Sequence, residues 1–204
     1  MSYIGTQPND VKKNIGLYTP SEILQLEKDG NWGGSLELIT ENSFSGVGDL
    51  LFTTLKEDLY DVHYLTVTQE CSTDAVNYIR LSNDGGSSYE ASNYQYAFYV
   101  SDSASAGGPT TSAASTQMYM NYGGGLGSNE LQNFHYTFYN LGDADKYSFV
   151  TGHSVALGST ASVLSFQSNA CYSVNETINA IKVYMSGGTR TGTAKLYGYK
   201  QWVL

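Results

Sequence analysis

Apolar and polar residues alternate from about residue 34 onward with a period of two, the pattern of half-buried β-strands. Runs rich in β-branched and aromatic residues are separated by clusters of Gly, Asn, Asp and Ser, which are typical of turns. The predicted strands are 36–40, 60–68, 75–82, 94–100, 117–120, 135–139, 146–154, 162–166, 177–185 and 193–199. Short strands at this spacing predict an all-β protein, an antiparallel sandwich or barrel.

Residues 1–33 lack this period and predict an extended arm with one short helix. Thr19 suits the N-cap, Pro20 the first helical position and Glu22 the third, where its carboxylate can complete a capping box. Gly30 is a natural end of the helix. A helix of two to three turns is too short to be stable alone in water, so we expect it to dock on something.

Two predicted strands, 94–100 and 134–139, carry bulky groups on both faces and therefore need cover on both sides. The opposing sheet supplies one cover. The N-terminal arm, a long loop or a neighbouring subunit supplies the other, and the low content of charged residues favours a neighbouring subunit. The longest predicted loops are 101–115 and 121–133.

The composition is acidic, Tyr-rich and poor in charge: the net charge is −9, and charged residues are 14% of the chain against about 25% in typical proteins. Apart from Lys12-Lys13 there is no basic cluster, so we expect no direct nucleic-acid binding. No apolar run approaches the length of a membrane span, and the N-terminus does not resemble a secretory signal. We therefore expect that the protein is made in a cytoplasm and that it does not insert into a membrane.

Candidate catalytic and metal-binding residues do not form any known motif. His63, His135 and His153 lie in predicted strands without ligand spacing, which favours structural roles. Cys71 and Cys171 can be two buried thiols or one disulfide, and the first is favoured. We expect no catalytic residues, no cofactor and no metal.

The polar loops carry two further expectations. The segment 83–86, Asn-Asp-Gly-Gly, predicts a hairpin turn because glycine readily adopts positive φ. Tyr119, Asn121 and Tyr122 flank a Gly-rich loop, and tyrosine with asparagine is a combination suited to stacking on a sugar and binding its hydroxyls. These three residues are the candidate surface-recognition site. The alternative is that the tyrosines pack within the sheets or between subunits.

A series of short motifs resembles small virion proteins of tailed bacteriophages, especially phages of marine bacteria and cyanobacteria. The matching segments are Tyr3-Ile4-Gly5, 16–32, Tyr60-Asp61-Val62-His63, 80–86, Lys146-Tyr147-Ser148-Phe149 and 178–200. The most recognisable is Gly192-Thr193-x-x-Leu196-Tyr197-Gly198. The resemblance implies a jelly-roll-like β-sandwich that serves in virions as a fibre, spike-associated or capsid-decorating module, and it brings no catalytic residues.

We therefore expect a jelly-roll-like sandwich over residues 34–204 and a virion-attachment arm over residues 1–33, which binds other virion proteins. The expected function is that of a tail or head fibre protein that contacts the host surface, with a surface glycan as a potential ligand. The alternatives are a cement protein that stabilises the capsid and a glycan-active enzyme. Analogy with phage fibre and cement proteins predicts a homotrimer.

Overall fold

The computed structural model describes residues 19–28, 36–121, 130–158 and 161–199, except for the side chains of residues 23 and 26–28. The chain divides into two compact units, Met1–Gly34 and Ser35–Leu204. Within its described residues the first unit contains helix α1 (Pro20–Lys28). Gly30, the predicted end of the helix, lies outside the described residues.

The start of α1 forms the predicted capping box. The backbone N–H of Thr19 donates to Glu22 Oε2 at 2.7 Å, and the backbone N–H of Glu22 donates to Thr19 Oγ1 at 3.3 Å. The hydrogen bond from the Thr19 backbone is the main reason that the pKa of Glu22 is lowered. The predicted helix and its N-terminal signal are confirmed.

The second unit is built of antiparallel strands in two sheets, as predicted. The strands are β1 (Leu36–Val47), β2 (Asp49–Phe52), β3 (Val62–Cys71), β4 (Asn77–Ser82), β5 (Tyr94–Asp102), β6 (Gly108–Ser115), β7 (Met118–Asn121), β8 (Gln132–Tyr139), β9 (Ser148–Leu157), β10 (Val163–Tyr172), β11 (Ala180–Met185) and β12 (Arg190–Tyr199). The eight-stranded sheet has the order β1-β12-β3-β8-β9-β10-β5-β6, and the four-stranded sheet has the order β2-β11-β4-β7.

The strand order is that of a jelly roll with two inserted pairs of strands. If β5, β6, β9 and β10 are set aside, the remaining eight strands pair as first-eighth-third-sixth and second-seventh-fourth-fifth. This is the connectivity of two Greek keys folded into a double-sheet jelly roll. The inserted strands extend one sheet beyond β8 and double its number of strands from four to eight. The predicted jelly-roll-like sandwich is confirmed.

Three details of the predicted strand pattern are wrong. Strand β2 lies in a segment for which no strand was predicted. Strand β6 occupies 108–115, which was predicted as loop, and it pairs with β5 through Ala97–Thr111 and Phe98–Thr110. Its sequence is small and polar, so only the pairing with its neighbour identifies it as a strand. The 83–86 turn is not a hairpin, because it joins β4 in one sheet to β5 in the other, although Gly85 and Gly86 have the expected positive φ of 74° and 88°.

The core lies between the inward faces of the two sheets. Leu65 and Val67 of β3 alternate with outward residues, and so do Ile181 and Val183 of β11. Both cysteines are free: Cys71 is buried in the interior, whereas the half-buried Cys171 points outward from β10. Among the described residues, no helix has the length and apolar character that crossing a membrane requires.

Gly152 fixes the close approach of β8 and β9. A Cβ atom at this position would overlap the carbonyl oxygen of His135 and the ring of Tyr136. Backbone cannot move aside without disturbing the sheet, so a side chain here is not tolerated.

We expect Gly152→Ala to lower the free energy of unfolding by about 1–3 kcal/mol, the usual cost of overpacking a core. Urea denaturation followed by circular dichroism measures this change. Gly187→Ala is the matched control, since a Cβ at Gly187 meets no atom within 4 Å. Equal stability of the two variants would contradict the described packing of β9 on β8.

Candidate binding face on the eight-stranded sheet

A block of outward positions on the middle strands β3, β8, β9 and β10 carries no ionised side chain. Glu70, the last outward residue of β3, lies beyond the final pair of β3 with β8 and outside this block. The block consists of four consecutive outward positions on each strand, all of which are exposed or half-buried. These are Val62, Tyr64, Thr66 and Thr68 on β3, Asn133, His135, Thr137 and Tyr139 on β8, Phe149, Thr151, His153 and Val155 on β9, and Ser165, Gln167, Asn169 and Cys171 on β10. None is Asp, Glu, Lys or Arg, in a chain whose net charge is −9. We call this surface the neutral face.

Four rings form a continuous line across the neutral face and the neighbouring strand β12. The centroid of the Tyr197 ring lies 6.4 Å from that of Tyr64, Tyr64 lies 5.6 Å from His135, and His135 lies 5.4 Å from His153. The strand register produces this line, because Tyr197 is the cross-strand partner of Tyr64 and His135 that of His153. We call these four residues the aromatic row.

A shallow depression of about 390 Å³ lies along three residues of the aromatic row, Tyr64, His135 and His153. Tyr197 adjoins Tyr64 outside the lining of the depression. The lining includes Thr66, Thr68, Asn133 and Ser165 in addition to row residues. Thr68 Oγ1 donates to Asn133 Oδ1 at 2.8 Å, which orients that amide. The hydroxyls of Thr66 and Ser165 make no hydrogen bond to the part of the chain that the structure describes, so they can bind a ligand.

The electrostatics of the depression favour uncharged groups. Burial lowers the pKa of His135, and the neighbouring His153 lowers it further, so the His135 ring is neutral at pH 7. The cation that flanks the aromatic row, Lys195 on β12, is held by Glu41 on β1 at 3.1 Å. The depression therefore presents rings, hydroxyls and amides rather than charge.

The end of the same sheet is more apolar than its centre. Leu36, Tyr199, Val62, Tyr139 and Phe149 are successive cross-strand partners on β1, β12, β3, β8 and β9. Leu36 is 41% exposed, Tyr199 36% and Phe149 44%. We call these five residues the apolar strip. An exposed line of this kind is typical of a protein–protein contact.

Tyr119 and Asn121, the two sequence-predicted recognition residues that the structure describes, do not lie on the neutral face. Tyr119 is half-buried on β7, and its ring packs 4.7 Å from Phe98, 5.7 Å from Tyr96 and 5.4 Å from Tyr78, measured between centroids. The alternative in which this tyrosine packs within the sheets is therefore the one that the structure shows. Tyr122 lies outside the described residues.

Asn121 is fully buried, so it has no exposed side chain with which to bind a ligand. Its Oδ1 accepts from Asn77 Nδ2 at 2.6 Å, and its Nδ2 donates to the Tyr136 hydroxyl at 2.9 Å. Gln132 Nε2 also donates to Asn121 Oδ1, at 3.4 Å. The sequence predicts that Asn121 flanks a loop. In the structure Asn121 is instead the last residue of β7, and its side chain is buried.

The buried amides continue to an arginine that the sequence did not single out. Gln69 Nε2 donates to Gln132 Oε1 at 2.7 Å, and Arg190 Nη1 donates to Gln69 Oε1 at 3.2 Å. Arg190 is 1% exposed, and burial lowers the pKa of its guanidinium to about 10. The buried amides hydrogen-bond to each other and to Arg190 Nη1, whereas Nε and Nη2 of Arg190 make no hydrogen bond to the described residues.

The four-stranded sheet carries a second group of rings on its outer face, and the charged side chains among them already have contacts within the chain. Lys182 Nζ lies 5.2 Å from the centroid of the Tyr184 ring and forms an ion pair with Asp49 at 2.6 Å. Arg80 Nη2 donates to Gln117 Oε1 at 3.1 Å, and the Tyr184 hydroxyl donates to the same oxygen at 2.6 Å. Polar groups on this surface thus bind one another, and fewer of them are available to a ligand than on the neutral face.

Potential metal-binding carboxylates are also occupied by the chain itself. Asp84 accepts hydrogen bonds from the Ser82 hydroxyl and from the backbone and hydroxyl of Ser88, and the bonds with Ser88 are the main reason that its pKa falls to about 2. Among the described residues, no cluster of three or more His, Cys, Asp or Glu side chains is arranged to hold a metal ion.

Comparison with known proteins identifies no relative: no family model, curated protein or solved structure matches the chain.

The buried His63 makes the stability of the sandwich depend on pH. Its Nε2–H donates to the Leu55 carbonyl at 2.9 Å, and Nδ1 makes no hydrogen bond among the described residues. Burial lowers the pKa of His63 below 6.5, although the Leu55 carbonyl, Glu57 and Asp61 oppose this effect. The unfolded chain therefore binds more protons than the folded chain between the two pKa values, and stability rises with pH in that range.

We expect the melting temperature to fall as pH is lowered from about 8 to about 5, and His63→Gln to reduce this fall. Glutamine keeps a donor for Leu55 but does not titrate. Differential scanning calorimetry of both proteins across this range measures the difference, while every other titrating group is common to the two. The same pH dependence in the variant would contradict the assignment to His63.

Proposed function

We propose that the chain is a structural protein of a tailed-phage virion, of the fibre type, which contacts the host surface without catalysing a reaction. Residues 1–33 attach it to other virion proteins, and the jelly-roll unit carries the contact surface. The resemblance of the sequence motifs to small virion proteins supports the setting. The fold is consistent with it, since jelly rolls are common in capsid and lectin domains.

The neutral face is the observation that carries this proposal. A solvated sheet face in an acidic chain ordinarily bears charged residues, because charge keeps the protein soluble and prevents the face from associating with other molecules. Here four adjacent strands present hydroxyls, amides, imidazoles and aromatic rings instead. This combination suits adaptable contact with an uncharged partner.

The described side chains support a binding role rather than catalysis. His63 donates to a backbone carbonyl, and the contacts of His135 and His153 are with rings. In the described ranges no serine, threonine or cysteine is hydrogen-bonded to an imidazole, as an activated nucleophile would be. The hydroxyls and amides of the neutral face are recognition groups.

A capsid decoration protein is the second candidate, and the apolar strip favours it. The strip offers a line of exposed apolar side chains with which neighbouring copies or a shell protein can pack. The predicted homotrimer belongs to either function, and the strip is the surface through which we propose that the copies meet.

Imaging of purified particles tests the proposed function. Immunogold labelling or cryo-electron microscopy should place the protein at the tail or on a projecting head fibre. A regular lattice over the head would favour the decoration protein instead. Absence from purified particles would contradict both functions.

Deleting residues 1–20 should leave a soluble, β-rich protein that no longer joins particles. The reason is that Ser35–Leu204 is a compact unit by itself, while the proposed attachment residues lie before it. Circular dichroism measures folding, and immunoblotting of purified particles measures incorporation. Normal incorporation of the truncated chain would contradict the attachment role, and failure to fold would show that the arm belongs to the core.

The double variant Leu36→Ser, Phe149→Ser should shift the protein from an oligomer to a monomer, because it removes two exposed side chains of the apolar strip. Multi-angle light scattering measures the mass. The matched control is Leu59→Ser, Val163→Ser, since these side chains are 59% and 49% exposed but lie outside the strip. A wild-type protein that is monomeric at micromolar concentration would contradict self-association.

A further inference from the structure

We propose that the depression along the aromatic row binds a neutral oligosaccharide, with sugar rings stacked on Tyr64 and Tyr197 and sugar hydroxyls bound by the polar side chains around His135 and His153. This inference rests on the proposed function, because it names the ligand class of the same face. It moves the sugar site from the Tyr119 loop to the outer face of the eight-stranded sheet.

The aromatic rings provide the stacking surface. A pyranose ring has an apolar face of C–H groups, which packs on an aromatic ring while its hydroxyls remain at the edge. Tyr64 and Tyr197 are half-buried, tilted by 41° to each other and adjacent across two strands. Partial burial fixes the rings in place, so little conformational entropy is lost when a sugar binds.

The polar groups beside these rings match the edge of a sugar. Thr66 and Ser165 line the depression, and Gln167 on β10 is the cross-strand partner of His153. Within the described chain the side chains of these three residues hydrogen-bond to nothing else. The neutral imidazole of His135 adds one donor and one acceptor. Uncharged donors and acceptors around rings are the groups that bind sugar hydroxyls.

The size and direction of the row favour an oligosaccharide over a single sugar. Three strand spacings separate Tyr197 from His153, which is about 14 Å across the sheet. The depression of about 390 Å³ falls in the range of about 300–1,000 Å³ that ligand sites occupy. A short chain of sugars lying across the strands would contact all four rings.

The charge of the site selects against acidic glycans. The outward positions of β3, β8, β9 and β10 include no Lys or Arg that could pair with a carboxylate or sulfate. Lys195 at the border is already paired with Glu41. A negatively charged polymer would also be repelled by a protein of net charge −9.

A second copy of the chain fits this part of the sheet less well than a sugar does. Interfaces between identical subunits are more apolar than the rest of the protein surface. On the neutral face ten of the sixteen outward residues are polar: Thr66, Thr68, Asn133, His135, Thr137, Thr151, His153, Ser165, Gln167 and Asn169. Three exposed apolar side chains, Leu36, Tyr199 and Phe149, lie together in the apolar strip at the end of the sheet, while Val155 lies beside the depression.

Affinity electrophoresis of the full chain tests the proposal. Native gels containing dextran, laminarin or mannan supply neutral polysaccharides, and a gel containing alginate supplies an acidic one. We expect retardation in at least one neutral gel and none in alginate. Retardation in alginate alone, or in no gel, would overturn the proposal.

Variants assign the binding to the aromatic row. Tyr64→Ala and His153→Ala should each weaken binding about tenfold, equal to about 1.4 kcal/mol, while Tyr64→Phe should retain it. Tyr147→Ala is the matched control, because Tyr147 is 46% exposed and lies outside the row. His153 is exposed, so its variant tests the site even if Tyr64→Ala fails to fold. Unchanged binding in His153→Ala and in folded Tyr64→Ala would overturn the proposal.

The outcomes separate this inference from the proposed function. Presence in particles without binding to neutral glycans overturns the sugar site and leaves the virion role intact. Binding to neutral glycans with absence from particles does the reverse. Loss of self-association in His153→Ala, with glycan binding unchanged, would identify the aromatic row as a subunit contact and overturn the proposal.

Discussion

The antiparallel register of β3, β8 and β9 is the constraint on which the rest of the structure depends. Side chains alternate strictly across a sheet, so a shift of one residue would send each strand's core residues to solvent. In the observed register Leu65 pairs with Tyr136, and both face the core, while Thr66 pairs with His135, and both face outward. The same register aligns His135 with His153, which completes the aromatic row. The same strand register therefore produces both the core and the neutral face.

The distribution of charge follows from the two faces of that sheet. Arg190 and the amides of Gln69, Gln132, Asn77 and Asn121 are enclosed between the sheets, where their hydrogen bonds offset part of the cost of burial. The neutral face has no such constraint, because water can satisfy any group there. The lack of ionised residues on the neutral face is thus not required by folding, and it supports the proposed contact with an uncharged partner.

Much of the fold could be predicted from local signals in the sequence. The period of two identified most strands, and Thr19 with Glu22 identified the start of the helix. Strand β6 lacks bulky residues, so its assignment depends on pairing with β5, which is distant information that a local pattern does not contain. The same limit explains the 83–86 turn, whose glycines have the predicted φ although the strands that it joins lie in different sheets.

The neutral face could not be predicted from the sequence, because its residues come from strands that are distant along the chain. Each histidine by itself was correctly expected to lie in a strand, but nothing local places His135 beside His153 or Tyr64. Conversely, Asn121 and Tyr119 are residue types that are typical of a recognition loop. Strand pairing places Asn121 in the core and Tyr119 in a cluster of aromatic rings. The composition indicated which residue types could form a contact surface, and the strand topology determined where those residues lie.

Chemical footprinting of the histidines tests the central claim, that the neutral face is the contact surface, most directly. Diethylpyrocarbonate modifies accessible imidazoles, and mass spectrometry gives the extent at each histidine, with the fully buried His63 as an internal control. The account predicts that His153 is modified in the free protein and protected when the protein is bound to host cell envelopes. Equal modification of His153 in the free and bound protein would contradict it.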